Sequence, residues 1–257
     1  MKVEIKIFSN PEEIAEHIAV EIVELTSENS KKNLDSFIAV SGGHTPEVLF
    51  NRLSESPYRE IIEWDRLHLF WCDERCVPPD DKESNFGMTK YYLLDKIGIP
   101  VKNIHRIEGE NDPENEVKRI SGEIKSIVPA INNLPGFDLT LLGVGTEGHT
   151  ASLFPGRQLK NVSNNIAGIA EHQLTGQKRI SLTYKVLNNS KEIIFMVTGK
   201  EKADIVYRIL NERDSKNKYP AAMIGGVGKL KWFLDKEASL KIKGTENNFS
   251  VPKSSGN

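Results

Sequence analysis

The chain has 257 residues, enough for one large α/β domain or two small ones with a substantial buried core. With 34 Lys+Arg against 36 Asp+Glu its formal charge is -2, which argues against a nucleic-acid binder or a basic membrane-surface protein. No apolar run approaches a membrane span, and the opening MKVEIKIFS has neither a signal core nor a cleavage site, so no membrane partner is expected and the expected compartment is the cytoplasm.

Val3, Ile5 and Ile7 alternate with charged residues, which marks a half-buried strand. Ser9-Asn10-Pro11-Glu12-Glu13 is a helix start, and Ile14, Ile18, Ile22 and Leu25 recur on one helical face until the polar SENSKKN segment ends it. Phe37–Val40 is the next strand and runs into Ser41-Gly42-Gly43-His44-Thr45-Pro46, followed by a helix carrying Val48, Leu49, Phe50 and Leu53. Thr45 is expected to cap that helix, with Pro46 at its first position. A strand, a Gly-Gly turn and a helix N-terminus either form an ordinary βα turn or offer free backbone N–H groups to a phosphate.

Leu67–Trp71 reads as a third strand that delivers Asp73, Glu74 and Arg75 to its carboxyl end. The loop CVPPDDKESN follows, and Ser84 or Asn85 starts a helix through Met88, Tyr91, Tyr92 and Leu94. Cys72 and Cys76 flank the acidic-basic cluster; two cysteines without a second cluster make a weak zinc signal, and they are read as reduced thiols. Between Gly98 and Pro135 a short strand near Ile104 and a helix from Asp112-Pro113-Glu114, with Val117, Ile120, Ile124 and Ile127, carry no chemistry.

The segment FDLTLLGVGTEGHTASLFPG, Phe137 to Gly156, organises the chain. Phe137–Leu142 suits a short buried strand, and Gly143, Gly145 and Gly148 describe a tight loop that approaches a ligand closely. His149, Thr150 and Ser152 come directly after, so an imidazole and two hydroxyls stand at the end of a central strand, where ligands bind in open α/β sheets. Ile166–Ala170 and Arg179–Thr183 read as strands, Leu187-Asn188-Asn189 as a turn, and Ile193–Thr198 as the most apolar strand. After Gly199 a helix opens with Lys200-Glu201-Lys202 and continues through Ala203, Ile205, Val206, Ile209 and Leu210; lysine in a first turn opposes the helix dipole unless an anion compensates. Tyr219–Ile224 and Trp232–Asp235 are apolar enough to pack. The expectation is α/β: a single domain over residues 1–242, built on a doubly wound, largely parallel sheet flanked by helices and Rossmann-like, with a loose polar tail over 243–257.

Five blocks in one order, SGGHTP, WCDERCVPPDDKESNFG, FDLTLLGVGTEGHTASLFPG, RISLTYKVLN with VTGKEKA, and YPAA with WFLD, resemble the 6-phosphogluconolactonase family, within the wider group that includes glucosamine-6-phosphate deaminase. The resemblance covers about Val3 to Ala238. It implies hydrolysis of 6-phospho-D-glucono-1,5-lactone to 6-phosphogluconate in the oxidative pentose phosphate route, with no metal or organic cofactor and a small sugar phosphate as partner. A monomer or small homo-oligomer is expected. His149, Glu147 and Asp73 are then the catalytic candidates, with Ser41, Gly42, Gly43, Thr45, Arg75, Lys202 and, more weakly, Arg179 for substrate and phosphate. One position departs: the family usually has aspartate where this chain has Glu147. The nearest rival, a sugar-phosphate isomerase-deaminase, has a glutamate-proline pair where this chain has Leu153-Phe154-Pro155-Gly156, and so has a second carboxylate that is missing here. A non-catalytic sugar-phosphate sensor on the same fold would need a DNA-binding segment for which no stretch is spare.

Overall fold

The computed structural model describes residues 3–242; the polar tail expected over 243–257 lies outside the described residues. Among the described residues thirteen strands form three sheets. The main sheet has seven parallel strands in the order β1 (Val3–Phe8), β13 (Lys229–Asp235), β12 (Glu192–Val197), β8 (Leu139–Leu142), β2 (Ser36–Val40), β3 (Leu67–Trp71) and β5 (Ile104–His105). Its central strands are apolar on both faces, as parallel strands covered by helices on each side must be: every residue of β2 and β8 is buried. Phe195 stacks on Trp232 with centroids 4.1 Å apart, and one continuous apolar core runs through both larger sheets.

From β2 the chain steps outward through β3 and β5, then returns to β8 on the other side of β2 and proceeds to β12 and β13. The order therefore reverses between β2 and β8, paired through Ile38–Leu139 and Ala39–Thr140. In an open α/β sheet the crevice at the strands' carboxyl ends at such a reversal is where ligands bind.

The second sheet was not anticipated. Strands expected at 166–170 and 179–183 do not join the parallel sheet; β4 (Asp73–Arg75), β11 (Lys178–Leu182), β10 (Ala167–Glu171) and β9 (Lys160–Ser163) form a four-stranded antiparallel sheet. The physical reason is loop length, since the few residues between β10 and β11 can join only antiparallel neighbours. This sheet packs on the helix Pro113–Ile127. A short hairpin, β6 (Ala130–Ile131) with β7 (Leu134–Pro135), completes the strands.

Helix starts follow the sequence signals. Asn10 accepts from Glu13 N at 2.8 Å while the Glu13 carboxylate accepts from Ser9 N at 2.8 Å, a reciprocal cap on Pro11–Lys31. That helix runs through most of SENSKKN rather than ending before it. Ser84 caps Asn85–Tyr92 and Asp112 caps Pro113–Ile127.

Candidate active site

The β2 turn is fastened to β8 by Ser41, whose hydroxyl donates to Leu141 O at 3.0 Å. The next helix spans His44–Leu53, and Gly43, with φ +113°, occupies the cap position with no side chain bonded to the helix end. Thr45 is thus not the cap: it lies inside the first turn, and its Oγ1 is 2.7 Å from Thr198 Oγ1 at the end of β12. Because glycine has no side chain to satisfy the first amides, the positive helix end stays open for an anion.

After β8 the loop folds back on itself. Thr150 Oγ1 donates to Gly143 O at 2.8 Å and Gly145 N to His149 O at 2.9 Å. The imidazole of His149 lies so close over Gly145 that a Cβ there would stand 2.0 Å from Nδ1. Glu147 Oε1 is 2.7 Å from His149 Nδ1. This hydrogen bond, with the nearby charge of Lys202 adding, pulls the Glu147 carboxyl down to about 2 against the cost of partial burial. An ionised carboxylate only accepts, so Nδ1–H donates and a neutral imidazole keeps its lone pair on Nε2. Among the described residues nothing hydrogen bonds to Nε2.

Across the cleft, β4 pairs with β11 so that Arg75 faces Arg179 and Asp73 faces Ser181. Two guanidinium groups in register repel unless an anion lies between them. Burial, then the charge of Arg75, holds the Arg179 guanidinium below its ordinary value. Arg179 also lies over the Phe154 ring, 5.6 Å from its centroid, and Phe154 in turn sits 5.2 Å from the His149 ring. Arg75 donates to Glu83 O, while its Nε is buried with no partner among the described residues. Asp73 is buried; its Oδ2 accepts from Ser152 Oγ at 2.6 Å, and Asn85 Nδ2 donates to Asp73 O at 2.9 Å. Lys202 ends the 3-10 turn Lys200–Lys202 and immediately precedes the helix Ala203–Asn211, one turn later than expected.

Ser41, Gly42, Gly43, Thr45, Asp73, Arg75, His149, Arg179 and Lys202 line one cleft of about 330 Å³. Glu147 does not line it; its carboxylate holds the other edge of the imidazole. Sequence reading missed Asn85 and Thr198 as wall residues and Phe154 as the support of Arg179. Only proximity in the fold reveals them. Cys72 and Cys76 are free thiols; burial pushes Cys72 up strongly and Cys76 up to about 11, so neither is a ready nucleophile. Among the described residues no group of three or more His, Cys, Asp or Glu side chains is placed to hold a metal ion.

A family described as glucosamine-6-phosphate isomerases/6-phosphogluconolactonase matches residues 9–232. The 6-phosphogluconolactonase of Haemophilus influenzae is 44% identical over 225 residues, 87% of this chain and 95% of that one. The crystal structure of the devB protein, 41% identical, covers 93% of this chain and 99% of its own with a TM-score of 0.87. The 6-phosphogluconolactonase of Thermotoga maritima, 27% identical, covers 91% of this chain and 100% of its own with a TM-score of 0.77.

Proposed function

We propose a lactonase reaction for this chain, which belongs to the family of glucosamine-6-phosphate isomerases and 6-phosphogluconolactonases: hydrolysis of 6-phospho-D-glucono-1,5-lactone to 6-phospho-D-gluconate, a step of the oxidative pentose phosphate route. The observation that carries it is an imidazole with Nδ1 bound to an ionised carboxylate and Nε2 unengaged, in the same cleft as two arginines, a lysine and an uncapped helix end.

The phosphate is the handle. Backbone amides at Gly42, Gly43 and Thr45, with Arg75, Arg179 and Lys202, supply cationic and N–H partners for a dianion, which relieves the repulsion between the two guanidinium groups. With the ring so held, Nε2 of His149 takes a proton from water as the oxygen attacks the lactone carbonyl. Backbone donors of the glycine loop would stabilise the developing oxyanion. The tetrahedral species collapses by breaking the bond to the ring oxygen, and the imidazolium returns its proton there, giving the open-chain acid. Glu147 fixes the tautomer and stabilises the imidazolium. Asp73, already bonded to Ser152, accepts from a sugar hydroxyl and orients the ring. The continuous core supports reading residues 1–242 as one domain.

A deaminase needs a second acid-base carboxylate beyond the histidine segment, and buried Leu153 and Phe154 stand there. The test generates the lactone in situ and follows its decay with and without protein, with glucosamine 6-phosphate in parallel. Accelerated decay of the lactone and no turnover of the amino sugar are expected. An unchanged decay rate would refute the lactonase, and ammonia release would select the deaminase.

A further inference from the structure

Glu74 stands between Asp73 and Arg75 but points away from the cleft, and it is 2% exposed. All four acceptor positions of its carboxylate are filled. Oε1 accepts from Arg75 N at 2.7 Å and Asn85 N at 2.8 Å. Oε2 accepts from Ser84 Oγ at 3.0 Å and Phe86 N at 2.8 Å. Three of these donors open the helix Asn85–Tyr92, whose Ser84 cap also accepts from Gly87 N. A buried anion at a helix N-terminus is stabilised by the exposed amides and the dipole. Burial still pushes the carboxyl above its ordinary value while the four donors pull it down.

Glu74 fixes more than this helix. Asn85 extends from the clamped turn, donates to Asp73 O and packs so tightly on the β2 turn that a Cβ at Gly42 would stand 1.9 Å from its Oδ1. The same carboxylate holds the amide of Arg75. One buried anion thus joins β4 to the helix that starts at Asn85 and, through Asn85, both of these to the β2 turn more than thirty residues earlier.

We propose that Glu74 is a positioning residue that locks Arg75 and Asn85 against the Gly42-Gly43 turn and thereby sets the affinity of the cleft for the substrate's phosphate, without touching the substrate. The inference rests on the lactonase reading for its substrate and on the geometry alone for its mechanism. Glu74→Gln conserves shape, but its amide nitrogen cannot accept, so it sets two donors against a third.

The experiment measures binding of inorganic phosphate by calorimetry and steady-state kinetics on the phosphorylated and unphosphorylated lactones, for wild type, Glu74→Gln and the milder Ser84→Ala. Expected for Glu74→Gln is about tenfold weaker phosphate binding and a matching rise in KM for the phospholactone. kcat should stay within about threefold and the pH profile should keep its shape, since the His149–Glu147 pair is not touched. Ser84→Ala, which removes one donor of four, should shift the same quantities in the same direction by about threefold. Wild-type phosphate affinity in both variants would overturn the proposal. So would an equal loss on both lactones, which marks a purely structural residue. If Glu74→Gln does not fold, Ser84→Ala alone decides. Should the wild type leave lactone decay unchanged, the lactonase reading falls, while the phosphate affinities still judge Glu74.

Discussion

Among the described residues two histidine–glutamate pairs are hydrogen-bonded and of almost equal length, His149 with Glu147 at 2.7 Å and His105 with Glu123 at 2.6 Å. In both, a carboxylate accepts from or faces Nδ1. They differ at the other ring nitrogen. His105 lies on β5, 3% exposed and stacked on Phe70 at 4.3 Å, and its Nε2 is 2.9 Å from His68 Nδ1. Glu123 is shared with Arg119, so both ring nitrogens of His105 and both oxygens of Glu123 are occupied. Burial, then the neighbouring His105, holds His68 below the ordinary imidazole value. At His149 the ring is a quarter exposed and Nε2 has no partner among the described residues. A hydrogen bond to a carboxylate orients an imidazole in either place; an unengaged nitrogen at the cleft is what suits His149, and not His105, to the proposed role of base.

The sharpest test of this contrast replaces each histidine in turn. His149→Ala should lower kcat by about a hundredfold or more while leaving thermal stability nearly unchanged. His105→Gln should do the reverse, costing about 1–3 kcal/mol of stability from a broken buried network with kcat close to wild type. Steady-state kinetics beside thermal denaturation reads both, and a kcat loss shared equally by the two variants would dissolve the distinction.

Gly145→Ala comes next. The added methyl would press on the His149 ring, displacing Nε2 without removing any polar group. A misplacement near 1 Å can cost about a hundredfold in rate. A crystal structure with the ring unmoved and full activity would contradict the close approach. Lys202→Ala should act on binding, by about 1.5–3 kcal/mol in KM for the phosphorylated lactone, with little effect on the unphosphorylated one. Equal effects on both would make Lys202 a scaffold residue.

How much of this was legible in the sequence depended on whether each feature was local. The turn proposed for the phosphate and the glycine loop are readable because a strand, its glycines and the next helix are consecutive residues. The pair Glu147–His149 was readable as well, being two residues apart. The Asp73–Ser152 hydrogen bond spans 79 residues and Thr45–Thr198 spans 153, so neither leaves a mark in the sequence. Threonine has the right chemistry for a cap, yet Gly43 takes that position and Thr45 bonds across the cleft to Thr198. The apolar stretch Trp232–Asp235 gave no sign that it lies between β1 and β12, since the order of parallel strands is fixed by crossovers and not by the strands' own residues. The antiparallel sheet is legible in one respect, for the short segment between β10 and β11 requires a hairpin.

The smallest expected effect concerns Glu147, where the family usually has aspartate. Its side chain is 46% exposed, and its reach to Nδ1 at 2.7 Å indicates that the extra methylene is absorbed by the loop. Glu147→Gln should lower kcat by about tenfold, since the imidazolium loses its anionic partner. Glu147→Asp should retain most of the activity. For stability the sign follows from a carboxyl held at about 2 in the folded chain against an ordinary 4.5. A depressed carboxyl stabilises the fold above its unfolded value, and that contribution is lost as pH falls from about 4.5 toward 2. Because the group is nearly half exposed, solvent screening limits the contribution to below about 1 kcal/mol. Acid titrations of wild type and Glu147→Gln should therefore diverge slightly at neutral pH and converge as the pH falls through that window. Parallel curves over the whole range would mean that Glu147 and His149 do not interact in solution, and the distinction between the two histidine pairs would then rest on the cleft alone.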